Sequence, residues 1–185
     1  GSAAPIAAAT ADWIDSDTDA LPGGAEDSAY SSRTPAYRTA NTMMSDVSEF
    51  RAVAGVTPDI YRRVRLFVCA LPVTDAARIN VNTLQPEQGA LVSMMLPDTV
   101  TPDQVNQVLL SRPAGGWASA KKFWEETSLK SRGPPPGDNQ LAITTRWFVL
   151  RSDVTIGRTS FTETGLIDAD RPPARLVSRQ WGTVE

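Results

Sequence analysis

Histidine is absent from the chain, and cysteine occurs once, at position 69. Without histidine there is no usual general base at neutral pH, and the commonest transition-metal ligand is missing too. Hydrolase triads built on histidine are excluded, and a structural zinc site has almost nothing to be made from. A single thiol forms no intramolecular disulfide. Cys69, between Phe67-Val68 and Ala70-Leu71, reads as a buried structural thiol. No apolar run approaches the roughly 20 residues that a membrane-crossing helix needs. What remains is ordinary for a soluble globular protein: 185 residues, 41% hydrophobic and 21% charged, enough for one good-sized domain or two small ones. Gly1-Ser2 reads as a tag scar, so the chain is expected to be a piece of a longer protein.

Basic residues are also missing from the front end. Asp12, Asp15, Asp17, Asp19, Glu26 and Asp27 all precede Arg33, the first of 18 basic residues. The rest of the chain is nearly balanced and has no general attraction for nucleic acid. The acidic stretch asks for a cation instead. Asp15, Asp17 and Asp19 occupy positions 1, 3 and 5 of a loop that follows a helix, and Glu26 falls at position 12. That is the ligand spacing of a calcium loop, with the Leu21 carbonyl available at position 7. Position 6 is Ala20 rather than glycine and no clear helix follows, which argues against a paired EF-hand. The number of carboxylates and the flexible loop favour Ca²⁺ over Mg²⁺. The competing account is a solvated acidic loop whose charges point into water.

With 14 prolines and 12 glycines, the elements should be short and the turns many. Pro5–Ile14 predicts a helix, followed by a long turn-rich segment to Tyr37. Two helical hairpins come next. The first pairs Ser45–Val53, capped by Ser45 or Asp46, with a helix from Pro58 to about Val68, capped by Thr57. The second pairs Gln85–Met95 with a helix from Pro102 to about Leu110, capped by Thr101. Val56-Thr57-Pro58-Asp59 recurs as Val100-Thr101-Pro102-Asp103, which suggests a duplicated helical unit. Ser119–Glu126 completes the helices. Residues 131–140 read as a Pro/Gly linker. Ala142–Arg151, Val154–Thr164 and Ala174–Trp181 then read as three antiparallel strands. A three-stranded sheet needs a cover on one face, and no long helix remains to supply it. The expected organisation is a tail over 1–4, a helical domain over 5–130, the linker, and strands over 141–185.

Taken in order, several stretches resemble the minor pseudopilin of the K kind from type II secretion, the general secretion pathway protein K family. They are Asp12-Trp13-Ile14-Asp15-Ser16-Asp17, Gly24-Ala25-Glu26-Asp27 with Tyr30, and Pro35-Ala36-Tyr37-Arg38-Thr39-Ala40-Asn41. Ser48 to Val56, Ile79-Asn80-Val81-Asn82-Thr83 and Ser111 to Trp117 complete the series, which departs from the family at Ser28-Ala29 and Phe50. The resemblance implies an α+β fold: a pilin-like antiparallel sheet interrupted by a large α-helical insertion, with an N-terminal hydrophobic helix missing from this chain. It implies no enzyme activity, and a place at the pseudopilus tip that helps to start or cap assembly. Partners would be the I and J minor pseudopilins. The location would be the periplasm, anchored to the inner membrane through the missing helix. Family members bind calcium in the acidic loop, which falls here on Asp15, Asp17, Asp19, Glu26 and Asp27.

Two other classes compete. Paired short helices near Ile79-Asn80-Val81-Asn82 and Ser111-Arg112-Pro113 resemble helix-hairpin-helix modules, which bring backbone N–H groups to phosphate. Here the second hairpin, Met95-Leu96-Pro97-Asp98-Thr99, lacks glycine and carries an acid. Arg62, Arg63 and Arg65 read as a solvated helix face. An enzyme would have to use carboxylates alone, as glycosidases do, and their crowding in one segment suits a metal better. Lys121-Lys122-Phe123-Trp124, with Trp117, reads as a packed amphipathic helix.

Overall fold

The structure, a computed structural model, describes residues 3–134 and 140–182. Half of the expected Pro/Gly connection, residues 135–139, lies outside the described residues. The chain forms two compact units, Gly1–Asp75 and Ala76–Glu185. This boundary falls inside the stretch expected to be one helical domain. The reason is that each unit closes its own apolar cluster, and the chain before the boundary has little to bury. Leu66 is 68% exposed there, and Cys69, expected in a core, lies at the surface.

In the first unit, α1 (Ala3–Ile14) starts two residues earlier than predicted, because alanine carries the helix back through Pro5. It buries Ala9, Asp12 and Trp13. A five-residue helix, α2 (Asp27–Ser31), brings Tyr30 against it. The rings of Trp13 and Tyr30 meet edge to face at 5.2 Å, and Tyr37 lies 5.2 Å from Tyr30. Such pairs add about 0.5–1.5 kcal/mol each beyond area burial. The tyrosine hydroxyls are satisfied as well: Ala54 N donates to Tyr30, and Tyr37 donates to the Ala52 carbonyl. The predicted helix after Ser45 is a 3₁₀ segment, Val47–Ala52, with Asp46 and Glu49 forming a capping box. The last helix, α3 (Pro58–Val64), stops four residues short of prediction.

The second unit pairs β1 (Ile79–Asn80) in parallel with β2 (Leu141–Ala142). Between them lie a 3₁₀ turn at Pro86–Gln88, then α4 (Ala90–Ser93), α5 (Pro102–Leu110) and α6 (Ala120–Glu126). The predicted helix over 85–95 is therefore broken in two. The repeated tetrapeptide does the same work twice. Thr57 Oγ1 accepts from Ile60 N and Thr101 Oγ1 from Gln104 N, each at 3.3 Å, with proline opening the helix. Phe123 and Trp124 are buried, while Lys121 and Lys122 pair with Glu125 and Glu126 in solvent. Asn82 and Arg112 clasp this core. Asn82 Nδ2 donates to the Trp117 carbonyl at 3.0 Å, and its Oδ1 accepts from Trp117 N at 2.8 Å. Arg112 donates to the carbonyls of Asn82 and Leu84. Gly116 is required beside it, since its φ is +73° and a Cβ would lie 2.7 Å from the Asn82 carboxamide.

The sheet is antiparallel, β3 (Trp147–Ile156), β4 (Thr159–Asp168) and β5 (Arg175–Trp181), in that order. The first two strands run about five residues later than predicted. Ser152-Asp153, left between the first two predicted strands, sits inside β3, where Asp153 binds Arg151 and Thr162. The turn falls instead at Gly157-Arg158, with Gly157 at φ +63°, the position a two-residue hairpin gives to glycine. At the far end the Arg146 guanidinium holds both oxygens of Asp168 at 2.8 Å and brings that carboxyl down to about 2.

Replacing Asn82 by alanine should leave both backbone groups of Trp117 unpaired and cost roughly 1–3 kcal/mol. Thermal melting should show a drop of several degrees, and an unchanged midpoint would show that the clasp is dispensable.

Candidate metal centre

The carboxylate centre sits where α1 ends. The last turn of α1 has no basic residue, and the carbonyl end of a helix repels anions. Asp12 nevertheless lies there, fully buried. It survives because backbone donors surround it: Leu21 N reaches it at 3.2 Å and Ala25 N at 2.7 Å. These bonds fold the 15–25 loop back over the helix end. Gly24 closes the loop by donating to the Leu21 carbonyl at 2.7 Å. A side chain at Gly24 would overlap the Asp12 carboxylate.

The fold-back brings Asp15, Asp17 and Glu26 together, with one oxygen from each within 4.8 Å of the others. Asp19 and Asp27 are not part of this group. Asp19 is exposed, and its N–H donates to Asp17 Oδ1 at 2.9 Å. Asp27 opens α2 and turns to Thr39, whose backbone N–H and hydroxyl reach it at 2.9 and 2.8 Å, with Arg38 3.5 Å away. Those Thr39 bonds, helped by Arg38, hold its carboxyl below the usual range. The Leu21 carbonyl, expected at position 7 of a calcium loop, is engaged by Gly24.

The electrostatics of the group are unfavourable as it stands. Burial, then the charges of Asp17 and Asp12, push the Asp15 carboxyl up. Glu26 is also raised, first by burial and then by Asp12 and Asp15, against a Thr39 hydrogen bond that lowers it. Among the described residues, three buried side-chain oxygens have no hydrogen-bond partner: Asp15 Oδ1, Glu26 Oε1 and Asn41 Oδ1. Asn41 is held at φ +47° by its N–H on the Trp13 carbonyl at 3.1 Å, and its Nδ2 reaches the Asp17 carbonyl. An all-oxygen donor set carrying several negative charges fits a hard divalent cation such as calcium, whose bonds to oxygen are roughly 2.3–2.6 Å.

Residues 1–73 and 79–144 match the two family models described as Type II secretion system (T2SS), protein K. The chain belongs to that family. Among curated protein K relatives, that of Pectobacterium carotovorum subsp. carotovorum is 37% identical over 96% of this chain and 54% of its own length. That of Klebsiella pneumoniae is 33% identical over the same shares. The chain thus spans about half the length of the curated relatives it matches. Among solved structures, the GspK-GspI-GspJ complex from the enterotoxigenic Escherichia coli type 2 secretion system aligns with a TM-score of 0.84 and 29% identity. That alignment covers 97% of this chain and 63% of the matched one. The protein K family is a component of a secretion system, and these matches favour that class over the nucleic-acid alternative.

Reasoning from a linear twelve-residue loop gave no part to Asp12 or Asn41, both of which bond the backbone beside these carboxylates. Asp12 lies one helical turn before Asp15, an i, i+3 pair of like charges that should repel, and that conflict was the available signal. Asn41 had no such signal, because it arrives from 24 residues after Asp17. Gly24→Ala should unseat Asp12, so circular dichroism and melting should show the first unit unfolding well before the second. An unaltered melting curve would mean that the loop closes without that contact.

Proposed function

We propose that this chain is the periplasmic part of a minor pseudopilin that sits at the tip of the type II secretion pseudopilus, where it helps to start or cap assembly. The observation that carries the reading is the open face of the β3–β5 sheet. Alternation along paired strands puts Phe148, Leu150, Phe161, Ile167, Leu176 and Trp181 on one side, which also holds Ser152 and the Glu163–Arg179 ion pair. Leu150 and Leu176 are each 57% exposed, and Trp181 is 63% exposed. The opposite side carries Arg151, Asp153, Thr162 and Thr164, with Trp147, Val149 and Leu166 toward one end. A face so apolar needs a cover. In the pilin-like fold that cover is an N-terminal helix, which in the full-length protein also anchors the subunit in the inner membrane. A solved structure of similar fold is a GspK-GspI-GspJ complex, which supports I and J minor pseudopilins as partners here.

Calcium is the second part of the proposal. Asp15, Asp17 and Glu26, with Asn41, would hold it, and Asp12 would hold the loop that carries them. The ion's contribution is positive charge in a place where burial and the helix end both disfavour carboxylates. Its work is rigidity of the first unit, not turnover. No residue pair here is needed as acid and base for that role, so the reading is one of assembly.

The two parts are tested separately. Calcium titrated into chelator-stripped protein should give saturable heat and a melting temperature raised by several degrees. Glu26→Gln should abolish both effects, yet melt higher than wild type in chelator, because it removes one buried like charge. Absence of heat in the wild type would remove the ion from the account. For assembly, Leu150→Asp should leave the melting of this 185-residue chain nearly unchanged, since the face is open. In the full-length protein it should prevent co-elution with the I and J subunits. A full complex formed by that variant would overturn the role given to the face.

A further inference from the structure

A groove on the first unit, away from the carboxylate centre, has a chemistry of its own. The 3₁₀ segment and α3 meet at Gly55, whose φ of +83° turns the chain sharply between them. The angle leaves a cleft of about 530 Å³ lined by Tyr37, Arg51, Ala52, Val56, Pro58 and Tyr61. The Arg51 guanidinium lies 5.6 Å from the centre of the Tyr61 ring. On the other side Arg33 donates to the Tyr37 hydroxyl at 2.6 Å and stacks over the Tyr30 and Tyr37 rings. The cleft is therefore aromatic on two sides, with Arg51 in its lining and Arg33 outside the lining, joined to the Tyr37 wall through the hydroxyl.

Neither arginine has a carboxylate partner among the described residues. The acids closest in sequence are committed elsewhere. Glu49 accepts from the backbone of Ser45 and Asp46, Asp59 pairs with Arg62, and Asp27 faces Thr39 and Arg38. This is unusual in a unit whose acids outnumber its bases. Arginine on an aromatic face keeps its outer N–H groups free for a bidentate carboxylate.

We propose that this groove docks an extended acidic segment of a partner polypeptide. Carboxylates pair with Arg33 and Arg51, and an apolar side chain lies between Val56, Pro58 and the ring of Tyr61. The cleft volume suits a few residues of chain. A concave site with an apolar floor does not present its cations to a flat membrane surface, and the acidic balance of the unit disfavours nucleic acid. The inference rests on neither the calcium ion nor the tip location.

The test uses the 185-residue protein, ¹⁵N-labelled in calcium-containing buffer, and an N-acetylated peptide amide of alternating glutamate and phenylalanine. Amide shifts at Ala52, Val56 and Tyr61 should move saturably. Binding should weaken at least about fivefold in R51E and on raising salt, because a rim charge contributes steering and pairing. The R51E spectrum away from the groove should match wild type; R33Q serves as the second variant should R51E misfold. Three results would each overturn the proposal: no saturable shift, an equal response to the peptide with lysine in place of glutamate, or undiminished binding by the folded variant. Stronger shifts of the same amides with phosphatidylglycerol vesicles than with the peptide would also overturn it, in favour of a membrane surface.

Discussion

Like charges held close together at the wrong end of a helix are the constraint around which the first unit is organised. Asp12 and Asp15 stand at the carbonyl end of α1, where the helix dipole is against them. Asp12 is stabilised by backbone N–H donors from a loop that must double back to supply them. That same doubling back delivers Glu26 to Asp15 and Asp17. The loop geometry and the electrostatic cost are therefore one feature. The cation proposed above would answer both, since it would neutralise the repulsion and supply a partner to oxygens that have none.

Around that centre the fold relies on short, explicit fastenings more than on long elements. The first unit is tied by the Trp13–Tyr30–Tyr37 ring cluster, whose hydroxyls fasten to the backbone at Ala52 and Ala54. In the second unit Asn82 and Arg112 do the equivalent work on backbone groups of Trp117, Asn82 and Leu84. Helices of four to nine residues cannot hold themselves in water. Their ends are accordingly specified by caps: Thr57, Asp46, Thr101 and Ser119 each accept from a backbone N–H in the first turn. This is a scaffold of fixed surfaces. One is the apolar side of the sheet, and another is the arginine-walled groove, and both suit a component of an assembly better than a centre of chemical turnover.

Much of this was readable from local chemistry. Proline after threonine marks two helix starts, Ser119 marks a third, and the acidic run ahead of Arg33 contains the three carboxylates that the fold brings together. The errors have physical causes. Ser152-Asp153 has the composition of a turn, yet Asp153 is satisfied by Arg151 and Thr162 within the strands, and glycine at 157 takes the turn instead. Phe67-Val68-Cys69 has the composition of a core, yet it lies beyond α3, where the surface there is not covered.

By itself the sequence determined which side chains were available: oxygen donors without histidine, helix caps without long helices, and three β-rich stretches near the end. Those properties depend on residues within a turn or a strand of each other, so they survive without knowledge of the fold. Only tertiary structure decided that Asp27 turns to Thr39 and Arg38, that Asn41 donates to the Asp17 carbonyl, and that Asp12 is buried under the returning loop. Those choices follow from how the loop closes on α1, and closure depends on backbone donors and ring packing contributed from distant parts of the chain.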